Sequence, residues 1–154
     1  MRQPFHVMSC HFNSFHAIFS KRLESCAASQ VYWTALCCGL RRANLQGSNE
    51  ELVTSADFAS GVAVLEEDVY WADWMQGRIL RHHMASGREE AIVTGLASPV
   101  DVALDAVRKE IYWSDVGLGR TQRASLETRK VETLNMSWAI MTLLGRLHLF
   151  LTGC

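Results

Sequence analysis

Short runs of apolar and aromatic positions, broken by polar or glycine-containing stretches, recur through most of the chain. Residues 31–34, 40–45 and 51–54 read as three strands, the last following the turn Gly47-Ser48-Asn49. Four more strands fall at 61–65, 69–72, 79–84 and 91–93, with Glu66-Glu67-Asp68 and Met75-Gln76-Gly77 as the first two turns. A third set falls at 101–104, 110–114, 121–126 and 130–134, and Gly117 and Gly119 open its middle turn. Pro99 stands just before a strand, where its missing N–H costs little. The first set lacks a strand ahead of Val31, because the sequence there, CAASQ, matches its counterparts poorly.

The two ends follow other patterns. In residues 1–29, Phe5, Met8, Phe12, Phe15, Phe19 and Leu23 are spaced 3, 4, 3, 4 and 4 apart, which is one face of a helix. Pro4 suits a helix start, and no acidic residue precedes Glu24. Three readings fit this extension: a transit-peptide-like segment, a helix lying on a membrane surface, or an aromatic face packed on the sheet, which is preferred. It is not a convincing secretory signal, because it has no uninterrupted apolar core. In residues 135–154, the stretches 139–142 and 147–151 flank Gly145-Arg146. They read either as a degenerate start of a further strand set, or as a short buried helix or tail. A transmembrane span needs roughly 20 apolar residues, and Arg146 and His148 interrupt a shorter run.

Residues 30–134 repeat. The stretches VYWTA from Val31, VYWAD from Val69 and IYWSD from Ile111 place Tyr32, Tyr70 and Tyr112 at intervals of 38 and 42 residues. That is the period of a four-stranded propeller blade. A second motif follows each pair: LRRANLQG from Leu40, ILRHHMASG from Ile79 and TQRASLET from Thr121. It puts Arg42, Arg81 and Arg123 in one column, and Leu45, Met84 and Leu126 in another. The fold class is therefore all-β, an incomplete propeller of about three four-stranded blades with a helical N-terminal extension.

These motifs, with the P-x-x-V-A-L-D type segment from Pro99 to Asp105, resemble the low-density-lipoprotein-receptor class B repeat, the Tyr-Trp-Thr-Asp propeller repeat. The resemblance covers about two-thirds of the chain. It implies six blades closed into a disc, an extracellular or cell-surface setting and a protein ligand. It also implies that the Asp closing the motif ties a blade to its neighbour. That role carries to Asp73 and Asp115, whereas Ala35 stands at the first repeat. Fewer than three complete blades do not close a ring. The missing ones are expected from self-association or from a longer chain.

Composition narrows the function. The chain has 154 residues, 49% hydrophobic and 20% charged, with a net charge of −1. This is globular composition, with no electrostatic case for nucleic acid. The five cysteines, Cys10, Cys26, Cys37, Cys38 and Cys154, form no metal-ligand spacing, and no cofactor is implied. His82-His83 on a strand point to opposite faces and do not share a metal. Asp101 and Asp105 are the one pair of carboxylates to weigh for acid–base work, but Asp105 matches the strand-ending Asp of the repeat. Asn135-Met136-Ser137 is a glycosylation sequon. Tyr32, Trp33, Tyr70, Trp71, Tyr112 and Trp113 are expected to be structural, as are the column arginines. The turn residues Trp74, Met75, Gln76 and Leu118 are free of the repeat and are the candidate ligand contacts. The expected function is a non-enzymatic protein-binding module. The alternatives are a truncated fragment without independent activity and a soluble propeller enzyme.

Overall fold

The computed structural model describes residues 16–20, 30–35, 39–56 and 58–134, as twelve strands with no helix among them. The cysteines, the sequon at Asn135 and the apolar run at 139–151 lie outside the described residues. The first blade is the antiparallel meander of β1 (His16–Ser20), β2 (Gln30–Ala35), β3 (Gly39–Asn44) and β4 (Glu51–Thr54). The second is β5 (Ala59–Leu65), β6 (Asp68–Asp73), β7 (Arg78–His83) and β8 (Arg88–Val93). The third is β9 (Pro99–Asp105), β10 (Glu110–Asp115), β11 (Arg120–Ser125) and β12 (Val131–Leu134).

The sequence expectation for the first blade needs one correction. Residues 16–20 were expected on a helix, and they pair with β2 instead, Ile18 opposite Tyr32 and Phe19 opposite Val31. The missing inner strand thus comes from within the aromatic N-terminal stretch, and the blade has four strands. An unfilled pairing edge on β2 outweighs a 3.6-residue periodicity that has no helix partner. The rest of the expected helix lies outside the described residues.

Within each blade, alternation sends Tyr and Trp to opposite faces, and the blades stack Tyr face on Trp face. Tyr32 and Leu40 of the first blade share a buried cluster with Val62, Val69, Trp71 and Leu80 of the second. Tyr70, Ala72 and Ile79 of the second share one with Val102, Ile111 and Trp113 of the third. Trp71 and Trp113 are 0% and 1% exposed. Burial on this scale is worth roughly 4–6 kcal/mol per indole. Strand β5 lies beside both β1 and β9, so the inner strands adjoin one another. Gly61 permits that approach, because a Cβ there would sit 2.5 Å from the Asp101 Cα.

The Tyr face also carries a polar ladder that recurs in each blade. Register places Tyr32, Arg42 and Glu51 side by side across three strands, then Tyr70, Arg81 and Glu90, then Tyr112, Arg123 and Glu132. Arg42 pairs with Glu51 and Arg81 with Glu90, and Arg123 Nη2 lies 2.9 Å from Glu132 Oε2. The tyrosine hydroxyls donate to Gln30 (2.8 Å), Asp68 (3.3 Å) and Glu110 (2.6 Å), each two residues upstream. Burial pushes the Tyr70 phenol up. Burial, together with the bond to Glu110, does the same to Tyr112. The bond from Arg123 holds the Glu132 carboxyl below the usual carboxylate range.

Blade-to-blade bonds complete the frame. The buried Thr34 hydroxyl donates to the Ser60 carbonyl. The Ser60 hydroxyl lies 3.3 Å from both the Ala72 and the Pro99 carbonyls, so it links the second blade to the third. Thr54 donates to Glu89 (3.0 Å), Lys109 pairs with Glu66 (2.8 Å), and Arg129 reaches Glu90 (3.4 Å) and the Ala91 carbonyl (3.3 Å). The exposed pairs contribute little to stability, but they fix how the blades sit.

Candidate functional site

The turns of a meander alternate between its two ends. At one end lie the turns that follow the Tyr-Trp strands, 74–77 and 116–119, together with the linker 94–98 between the second and third blades. This end carries the candidate contacts. Met75 is 54% exposed, Val116 42% and Leu118 49%, and Gln76 is exposed beside them. Exposed apolar side chains on turns are available for contact only if the backbone holds them in place, and here it does.

Asp115 is the centre of that bracing. Its carboxylate is 0% exposed and accepts three backbone N–H bonds, from Ala97 (2.9 Å), Ser98 (2.9 Å) and Leu118 (3.2 Å). The first two belong to the linker and the third to the turn, so one side chain ties the third blade to the strand that enters it. Val116 N–H donates to the Ser98 carbonyl (3.0 Å), and Leu96 N–H to the Gly77 carbonyl (2.8 Å). The linker is thereby bonded to both turns and makes them one continuous surface. Gly77, at φ 62°, comes so close to the linker that a Cβ would overlap the Leu96 carbonyl oxygen.

Asp73 occupies the Asp115 position in the second blade. It accepts from the Gln76 N–H (3.0 Å) and from Arg78 Nε (3.0 Å). Both partners are within its own blade, so it shapes the 74–77 turn. In the first blade Ala35 has no carboxylate, and the neighbouring Thr34 supplies the bond to the next blade.

Trp74 differs from its neighbours. Its ring meets Phe58 edge-on, with centroids 5.9 Å apart and planes at 87°, and its backbone N–H donates to the Phe58 carbonyl (3.3 Å). It is half-buried and holds the turn against the linker between the first and second blades. Val116 was not among the expected contacts, although an apolar residue directly before Gly117 in a turn is a readable signal.

The remaining candidates resolve into structure. His82 is buried on the Trp71 face, while His83 lies on the other face with Nδ1 2.8 Å from Asp68 Oδ1. Asp101 accepts from the Val102 N–H, and Asp105 accepts from the Val107 and Arg108 N–H groups of its turn. The Arg108 N–H holds the Asp105 carboxyl below its ordinary range. Among the described residues no three His, Cys, Asp or Glu side chains gather to hold a metal, and no helix is long and apolar enough to cross a membrane.

No protein-family model matches the chain. A stretch of 64 residues, 40% of the chain, is 42% identical to mouse (Mus musculus) nidogen-2 and spans 5% of that protein's length. Among solved structures, a nidogen–laminin complex superposes with a TM-score of 0.64 at 19% identity, over 70% of this chain and 44% of that one. Selenomethionine-substituted virginiamycin B lyase from Staphylococcus aureus superposes with a TM-score of 0.58 at 13% identity, over 80% and 42% of the two chains. The structural likenesses show the propeller fold. The 64-residue likeness to nidogen-2 supports a propeller fragment of the class B, Tyr-Trp-Thr-Asp type.

Proposed function

We propose that the surface formed by Met75, Gln76, Val116 and Leu118, with Trp74 at its edge, binds a protein partner in an extracellular matrix or cell-surface setting and performs no catalysis. The observation that carries this reading is the braced apolar surface itself: three side chains between 42% and 54% exposed, on turns locked by Asp115 and the linker. Pre-organised apolar contacts of this kind lower the ordering cost of association. Likeness to a nidogen-2 segment supports the matrix setting, and the nidogen structural neighbour was solved in complex with laminin. Further blades, from a longer chain or a second copy, would extend the surface toward a disc.

Laminin is accordingly the first partner to test, followed by other matrix glycoproteins, by surface plasmon resonance. Met75→Asp and Leu118→Asp are each expected to weaken binding at least about tenfold, the effect of losing one well-packed apolar contact, while leaving the unfolding transition in place. Binding unchanged in both variants would refute the assignment of this surface.

A further inference from the structure

The turns 74–77 and 116–119 are framed alike. Each follows an aspartate and precedes an arginine, and the two stand opposite each other in the ladder, Asp73 with Arg78 and Asp115 with Arg120. In the second blade the pair closes, with Arg78 Nε 3.0 Å from Asp73 Oδ2. In the third blade it does not. The Asp115 carboxylate is occupied by the Ala97, Ser98 and Leu118 N–H groups. Every other arginine and lysine among the described residues has a carboxylate partner, and Arg120 alone has none. Its Nε is buried and lacks a hydrogen-bond partner as well. A buried donor left in that state is costly, and a ligand that brings an acceptor to it removes the cost.

The position of Arg120 joins it to the apolar surface. It shares a sheet face with Asp115, Gln122 and Trp113, and the Trp113 face is the one turned toward the second blade. Arg120 therefore stands on the side of the 116–119 turn that faces the 74–77 turn, next to Gly119 and two residues from Leu118. It is half-buried, whereas Val116 and Leu118 are exposed. A guanidinium offers a planar fork of N–H donors that matches a carboxylate. One such group among apolar side chains does not suit a polyanion, which needs a row of cations, and the nearest counterpart, Arg78, is already paired.

We propose that Arg120 selects a carboxylate in the partner. The inference rests on the reading of Met75, Val116 and Leu118 as a protein-binding surface and gives that partner its chemistry. An aspartate or glutamate side chain accepts from the Arg120 guanidinium, and apolar side chains flanking it lie on Met75 and Leu118.

The test is NMR titration of the full chain, labelled with nitrogen-15, with two acetylated and amidated tripeptides, Leu-Asp-Leu and Leu-Asn-Leu. The aspartate peptide is expected to shift the Arg120 Nε–H and Leu118 amide signals and to bind about tenfold more tightly than the asparagine peptide, the effect of one charge-assisted contact. Arg120→Met is expected to remove that preference, while Met75→Asp weakens both peptides. The comparison in the unmodified chain decides the matter even if Arg120→Met fails to fold. Equal binding of the two peptides, or a preference that survives Arg120→Met, overturns the inference and leaves the apolar surface standing. A sulfated heparin disaccharide that binds more tightly than the aspartate peptide, and loses binding in Arg120→Met, assigns the arginine to sulfate and overturns it too. No shift at the Met75, Val116 and Leu118 amides with either peptide overturns the surface itself, and the inference with it.

Discussion

Replacing Asp115 with alanine removes the acceptor for three backbone N–H groups, those of Ala97, Ser98 and Leu118. Each bond to a carboxylate contributes about 1.5–3 kcal/mol net, and a buried donor left unpaired costs about 1–3 kcal/mol. Removal of the buried charge itself offsets part of that loss, since an ionised group with 0% exposure carries a desolvation penalty. The expected net cost is about 4 kcal/mol. A domain of this size has roughly 5–15 kcal/mol in all, so the variant sits near the edge of folding. With a urea slope of about 2 kcal/mol/M, the midpoint drops by about 2 M. Asp115→Asn keeps one acceptor oxygen and turns an NH2 toward an N–H, so about half the loss is expected. In hydrogen exchange, the Ala97, Ser98 and Leu118 amides should lose protection before the strand amides do. A loss below about 1 kcal/mol in Asp115→Ala, with those three amides still protected, would show that the carboxylate is not what joins the linker to the third blade.

Other perturbations separate packing from charge. Gly61→Ala brings a Cβ within 2.5 Å of the Asp101 backbone; a loss of about 1–3 kcal/mol from forced separation of the inner strands is expected in denaturant melts, and a neutral result would contradict their close approach. The raised Tyr70 and Tyr112 phenols are stabilising as protonated groups, so their contribution is full below the unfolded pKa of about 10 and is lost as pH rises above it. Stability should therefore fall above about pH 10, and Tyr70→Phe with Tyr112→Phe should flatten that slope. The lowered carboxyls of Asp105 and Glu132 work in the opposite sense. Their contribution is present above the unfolded carboxylate range of about 4 and is lost as pH falls through their folded values. Glu132→Gln should reduce that acid sensitivity in a pH series of thermal melts.

Most of the fold was legible because the repeat fixes it twice, once by short apolar runs between turn signals and once by the recurrence of Tyr, Trp and Arg at constant offsets. Two neighbouring copies carried the reading past ambiguous boundaries, and the expected strands 51–54, 69–72 and 110–114 lie within the observed β4, β6 and β10. β1 was not legible, for two reasons. A gap of nine residues separates it from β2, where the second blade has only Glu66 and Glu67 in that position. Its aromatic spacing also fits a helix, and only pairing with Tyr32 and Val31, invisible in the sequence, selects the strand. The exposure of the candidate loop residues was legible in part. Met75, Gln76 and Leu118 stand out because nothing in the repeat demands them. Trp74 stood out for the same reason, but Phe58 claims much of its ring. The dependence of the whole surface on Asp115 was implied by the resemblance as a tie between blades, while its third bond, to Leu118, was not.

The central claim is that three blades stack, Tyr face on Trp face, into one unit that holds the loop surface in place. Native-state hydrogen exchange of the whole chain tests it most directly. The account predicts that amides of β6 and β10 exchange only through a shared global opening, with the same free energy and the same denaturant dependence. Exchange of β10 through its own, lower-energy opening, with β6 still protected, would mean that the third blade is not coupled to the second, and the account would fail.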